Sequence, residues 1–171
     1  MGLPMSHLEH RAQAPASVRC FVLTISDTRS EETDTGGRAI RDLLAEGGHQ
    51  VVGRAIVRDD PTVVMAVVRA QLAEAEAQAI ITTGGTGIGS RDSTYEAIAS
   101  LLDKTLDGFG ELFRVLSYEE IGAAAMLSRA CAGLANGKIV ISLPGSEHAV
   151  RLGMTRLILP ELGHLVREAS R

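Results

Sequence analysis

The chain has 171 residues and a formal net charge of -4, so it lacks the basic excess that a general nucleic-acid binder needs to neutralise a phosphate backbone. Hydrophobic residues make up 45% and aromatic ones only 3%, with no Trp, so one domain with an aliphatic core of Val, Ile, Leu and Ala is expected. No apolar run reaches the length of a membrane span and the first residues lack the regions of a signal peptide, which makes the expected setting cytoplasmic, with no membrane partner.

Residues 1–17 carry Pro4, Pro15, His7 and His10 without apolar periodicity and read as a flexible tail ahead of a single domain spanning 18–171. Met1 to Ser6 fits the myristoylation pattern, but the match needs only Gly2 and Ser6. A solvated tail accounts for His7 and His10 better than a metal site does. Val18 to Ser26 reads as a first strand, with a near-continuous apolar run of the kind buried on both faces. Asp34 and its neighbours cap a helix from about Gly36 to Glu46, which presents Ile40, Leu43 and Leu44 on one face and stops at Gly47-Gly48.

A second strand is expected over Gln50 to Val57. Asp60 and Pro61 suit the cap and first turn of a helix reaching about Ala75, with Val64, Val67, Val68 and Leu72 inward. Asp59 has no structural role in this reading. Ala79 to Thr83 is a third buried strand, and it runs into Gly84-Gly85-Thr86-Gly87-Ile88-Gly89-Ser90-Arg91-Asp92-Ser93.

Four glycines between positions 84 and 89 free the backbone and let a ligand approach main-chain NH groups with no Cβ in the way. A helix follows, reaching about Leu102, with Asp92 or Ser93 as its cap, so its free NH groups and the loop face the same side and could hold a phosphate. The plain alternative is a tight turn before a capped helix. The pattern is neither G-x-G-x-x-G nor a Walker A loop, and the first lysine after it is Lys104, which sets aside both familiar nucleotide readings.

Leu106 to Glu111 reads as a turn into a helix through Leu116, followed by Ser117 to Glu120 and a second helical stretch from Ala123 to Ala132. Asn136-Gly137 marks a turn and Lys138 to Leu143 a fourth core strand, ending in Pro144-Gly145-Ser146. A last helix begins at Glu147, is bent or broken before Pro160 and resumes through Leu165. Cys20, at a strand start, and Cys131, in a helix, are expected as reduced core thiols.

Three strand-to-helix units with short connections predict an α/β fold, a parallel sheet with helices on both faces. Ligands in such sheets bind outside the carboxyl ends of the strands, where Ser26-Asp27, Asp59 and Gly84 to Asp92 all fall.

The string Thr82 to Gly87, with Arg91-Asp92 and Glu96-Ala97 after it, resembles the molybdenum cofactor biosynthesis family of MoaB, MogA and the gephyrin G domain. Gly108-Phe109-Gly110-Glu111, Ser117, Met126-Leu127-Ser128-Arg129 and Leu143-Pro144-Gly145-Ser146 stand in the family's order, so the resemblance covers most of residues 18 to 168. Glu111 to Arg114 and Leu159 to His164 look closest to the MoaB branch.

The resemblance implies a three-layer α/β/α domain with a mostly parallel sheet, assembled as a homotrimer. It implies adenylyl transfer from ATP to molybdopterin, with magnesium and with release of pyrophosphate. Asp59 and Asp92 match the family's acidic positions, catalytic and metal-holding. Ser26, Asp27, Gly84, Gly85, Thr86, Gly87, Glu111, Ser117, Ser128, Pro144, Gly145 and Ser146 match its ligand pocket, although capping or surface roles compete for the serines and for Glu111. Tyr95 stands where proline is frequent, and Glu147-His148 where a small or basic pair is usual. A carboxylate beside a phosphate pocket disfavours an anion, so Glu147 is the feature that favours a second reading, a trimeric paralogue that binds molybdopterin without turnover.

Overall fold

The computed structural model describes residues 12–171. His7, His10 and the Met1 to Ser6 pattern lie outside them. The strands are β1 (Arg19–Ile25), β2 (Gln50–Val57), β3 (Ala79–Thr83), β4 (Lys104–Thr105), β5 (Cys131–Ala135) and β6 (Lys138–Leu143). The helices are α1 (Thr35–Glu46), α2 (Pro61–Ala73), α3 (Thr94–Ser100), α4 (Asp107–Ile121), α5 (Glu147–Gly153) and α6 (Leu159–Ala169). A 3-10 segment, Gly122–Leu127, follows α4, and a π turn, Met154–Ile158, joins α5 to α6.

One sheet holds all six strands in the order β2-β1-β3-β6-β5-β4. β1 pairs parallel with β2 and β3, and β3 with β6, whereas β5 runs antiparallel to both β6 and β4. Side chains alternate across it as the two-residue period of a strand requires. Cys20 and Val22 of β1, Ile81 of β3 and Ile139, Ile141 and Leu143 of β6 enter the core shared with α1, α4, α5 and α6. Phe21, Leu23 and Ile25, with Ile80 and Val140, enter the core under α2 and α3. The result is a three-layer α/β/α domain. Both faces are covered, which is why β1 reads as an unbroken apolar run.

The local chemistry anticipated for the first half is present. Asp34 accepts from the Gly37 amide at 2.9 Å and caps α1, while Asp60 accepts from the Thr62 amide at 2.8 Å with Pro61 at the start of α2. Val64, Val68 and Leu72 are buried along α2, each worth roughly 1.5–3 kcal/mol, and Val67 packs half-buried against the same core.

The second half departs from expectation. The stretch from Ala123 to Ala132 is not a helix: the 3-10 segment ends at Leu127 and β5 begins at Cys131. Asn136 (φ 48°) and Gly137 (φ 71°) form the two-residue turn that joins antiparallel strands, so β5 and β6 are a hairpin. At Gly133 a Cβ would run into the Lys104 carbonyl oxygen, which fixes glycine where β4 crosses close by. Cys131 therefore sits in a strand; it and Cys20 are free and buried, as expected of core thiols.

α4 continues through Ser117 to Glu120 instead of stopping at Leu116. The irregularity expected before Pro160 takes the form of a π turn, through which the last helix stays continuous. The π turn lies ahead of the proline, where a missing N–H and a crowded carbonyl would disrupt a regular helix, and α6 runs on to Ala169.

Candidate functional site

Four strand ends meet at the carboxyl edge of the sheet. β1 delivers Ser26 and Asp27, β2 delivers Asp59, β3 the Gly-rich loop, and β6 Pro144 to Ser146. Backbone and side-chain bonds tie them together. The Asp59 amide donates to Asp27 Oδ1 at 3.0 Å, the Gly84 amide to the Leu143 carbonyl at 3.0 Å, and Thr83 Oγ1 to the Pro144 carbonyl at 2.9 Å.

The glycines at the head of the loop are there for close approach. Gly84 has φ +93° and its Cβ position is filled by the Ile25 carbonyl oxygen. Gly85 has φ +69°, and a Cβ there would lie 2.8 Å from Thr94 Cγ2. Gly145 packs against Gly84, its Cβ position 3.4 Å from the Gly84 Cα.

Asp59 and Asp92 come to the head of α3 from different strands. Thr94 Oγ1 donates to Asp59 Oδ1 at 2.6 Å, while Asp92 Oδ2 accepts the Gly89 amide at 2.7 Å. Of the two residues expected as the cap of α3, Asp92 is not the one used. Ser93 holds that position without a side-chain bond, and the Asp92 carboxylate turns back into the loop, against Gly87.

Ser26 Oγ accepts the amides of Thr28 at 3.2 Å and Arg29 at 3.1 Å, which makes it the pivot of a local turn. It also lines a small cavity of about 70 Å³ with Arg29, Asp34, Thr83 and Gly145. Ser146 caps α5 through its bond from the Ala149 amide at 3.2 Å.

The remaining residues stand elsewhere. Glu111 and Ser117 are on α4; Glu111 lines a cavity of about 220 Å³ with Tyr95, Arg114 and Cys131, and Ser117 is buried. Burial pushes both the Tyr95 hydroxyl and the Cys131 thiol above their ordinary pKa values, so neither is poised to ionise. Ser128 ends the 3-10 segment, and its neighbour Arg129 reaches the Gly-rich loop: Nε donates to the Thr86 carbonyl at 3.0 Å and Nη2 to the Gly87 carbonyl. Nη1 pairs with Glu96, whose carboxyl is held below its usual range mainly by that bond. The guanidinium carbon lies 4.4 Å from the Tyr95 ring centroid.

No sequence pattern marks Arg129, Thr94 or Arg29 as site residues, although Arg129 closes the string Met126 to Arg129 in the family resemblance. Arg129 is 43 residues from Thr86, and no local pattern signals a contact at that range.

The two unusual residues after Ser146 are paired. Glu147 accepts from Arg151 Nε at 2.9 Å one helical turn on, and His148 pairs with Glu120 of α4. The charge that would disfavour an anion is therefore offset by a neighbouring cation.

Residues 21–164 match the family model described as a probable molybdopterin binding domain. The chain belongs to this family. It is 52% identical over 168 residues to molybdenum cofactor biosynthesis protein B of Bacillus cereus, covering 98% of this chain and 99% of that one. A crystal structure of a molybdenum cofactor biosynthesis protein B superposes with a TM-score of 0.88 at 52% identity, over 92% of this chain and 98% of that chain. The tungsten cofactor synthesizing protein MoaB from Pyrococcus furiosus superposes with a TM-score of 0.82 at 38% identity, over 92% of this chain and all 100% of its own. The molybdopterin-binding fold and a role in molybdenum cofactor biosynthesis follow from these matches. Among the described residues no helix is long and apolar enough to cross a membrane.

Proposed function

We propose that the protein is a molybdopterin adenylyltransferase. A terminal phosphate oxygen of molybdopterin attacks the α-phosphorus of ATP, the new P–O bond forms, and the bond to pyrophosphate breaks. The observation that carries this reading is the placement of two carboxylates at the head of α3, Asp59 bonded to Thr94 and Asp92 bonded back to the Gly89 amide, beside a glycine loop with uncommitted amides at the carboxyl edge of the sheet.

The donor set suits magnesium. Thr94 occupies Asp59 Oδ1 and Gly89 occupies Asp92 Oδ2, which leaves Asp59 Oδ2 and Asp92 Oδ1 without a protein donor among the described residues. Magnesium commonly takes one or two carboxylates and completes its shell with substrate phosphates and water, so a dedicated protein cage is not required. Bound there, the ion would neutralise phosphate charge so that one phosphate can approach another. The rest falls to the chain. The loop from Gly84 to Gly87 cradles phosphate, Arg29 adds a cation beside Ser26 and Gly145, and Pro144 to Ser146 close the edge.

Glu147, the feature that most favours the non-catalytic reading, is paired with Arg151, which weakens that argument. The homotrimer is part of the proposal. Its support is a stripe of exposed apolar side chains on α4, Leu112, Val115, Tyr118 and Ile121, extended by Met126 and Leu127.

Asp92→Asn tests the reading. The Asn side-chain oxygen can still accept the Gly89 amide, so the melting temperature should stay close to wild type. The lost charge weakens a hard-cation ligand, and conversion of molybdopterin and ATP should fall by about a hundredfold or more. Near-normal turnover would remove Asp92 from the chemistry and shift that role to Asp59.

A further inference from the structure

The Gly-rich loop is held by a side chain from the same sheet edge, delivered two strands away where the chain enters β5. Arg129 follows the 3-10 segment and precedes β5, yet its guanidinium spans two successive loop carbonyls, Thr86 through Nε at 3.0 Å and Gly87 through Nη2. Its third nitrogen pairs with Glu96 of α3, and its guanidinium carbon lies over the Tyr95 ring, 4.4 Å from the centroid. Such a fork is a planar, permanently charged group with its donors in fixed directions, and it is anchored here on two further residues, so its position is set independently of the loop.

In a trans peptide the C=O and N–H point in opposite directions across one plane. Turning the Thr86 and Gly87 carbonyls toward Arg129 therefore turns the next amides, those of Gly87 and Ile88, away from it. Neither amide donates to a protein acceptor among the described residues. A glycine loop left to itself samples many conformations, and ordering it on binding would cost conformational entropy. Arg129 meets that cost in the fold.

We infer that Arg129 is a positioning residue: by gripping the Thr86 and Gly87 carbonyls, it holds the loop with the Gly87 and Ile88 amides presented to an anionic ligand. This rests on the proposed reading of the loop as the phosphate site. Arg129 itself need not touch the substrate. Lys, a point charge without the fork, is a poor replacement.

The test compares wild type, Arg129→Lys and Arg129→Ala by three readouts. Trypsin cleavage after Arg91, exposed on the same loop, reports loop order without any ligand. The Kd for ATP with magnesium reports binding, and the melting temperature reports the fold. In the Ala variant cleavage should accelerate and Kd should rise, each by about tenfold or more, with Lys closer to Ala than to wild type. Methylguanidinium added to the Ala variant should recover part of the affinity, which it would not do for a residue that only supports the fold.

Cleavage and affinity both unchanged in Arg129→Ala would overturn the inference. Faster cleavage with unchanged affinity would show that the grip is real but that the loop is not the anion site, which overturns the proposed function along with this use of Arg129. A lowered melting temperature with unchanged affinity would reduce Arg129 to a structural role.

Discussion

Gly85 holds φ at +69°, and a Cβ there would come within 2.8 Å of Thr94 Cγ2 and 3.1 Å of Ile25 Cγ2. Val at this position meets two penalties, left-handed backbone strain and overpacking between β1 and α3, so Gly85→Val should cost about 3 kcal/mol in denaturant unfolding and abolish ATP binding. A variant as stable as wild type that still binds would show that the loop geometry is not what the ligand reads. The need for glycine was legible from the sequence; the stability cost was not, because it comes from Thr94 and Ile25 folding against the loop. Asp92 illustrates the same limit. As a residue type it caps helices as well as Ser93 does, and only the bond back to Gly89 decides between a cap and a loop brace.

At the scale of elements, β1 and β3 were legible as short unbroken apolar runs, and α1 and α2 as apolar periods with a cap or a stop, as at Asp34, Gly47 and Pro61. The hairpin of β5 and β6 was signalled by Asn136-Gly137, but Cys131, Ala132 and Ala135 are small residues at home in a helix, and that composition masked the strand. The two-residue β4 is too short to carry a period at all. α4 hid its length for a different reason. One face buries Gly110, Phe113 and Ser117 while another leaves Leu112, Val115 and Tyr118 in solvent, so apolar residues fall on both sides of it. In the proposed homotrimer that second face is covered. Val115→Glu should therefore convert the assembly to monomer in a solution mass measurement, with the chain still folded because Val115 is 57% exposed within it. A wild-type protein that is monomeric at micromolar concentration would contradict the assembly.

The whole molecule explains why the site lies where it does. β1 and β3 are neighbours, yet the chain leaves β1 for α1 on one face and β3 for α3 on the other. Adjacent strands whose loops part to opposite faces open a crevice at their carboxyl ends, and the small cavity lined by Ser26, Thr83 and Gly145 lies there, beside the Gly-rich loop. The sequence placed these residues on one edge of the sheet. The crevice itself could not be read, because it depends on the order β2-β1-β3-β6, set by pairings remote in the chain. The claim that this crevice performs adenylyl transfer is tested most directly by incubating the purified wild-type protein with molybdopterin, ATP and magnesium and separating the products. The account predicts adenylylated molybdopterin and pyrophosphate in equal amounts, over many turnovers, and none without magnesium. Molybdopterin and ATP that both bind and are recovered unchanged would contradict it.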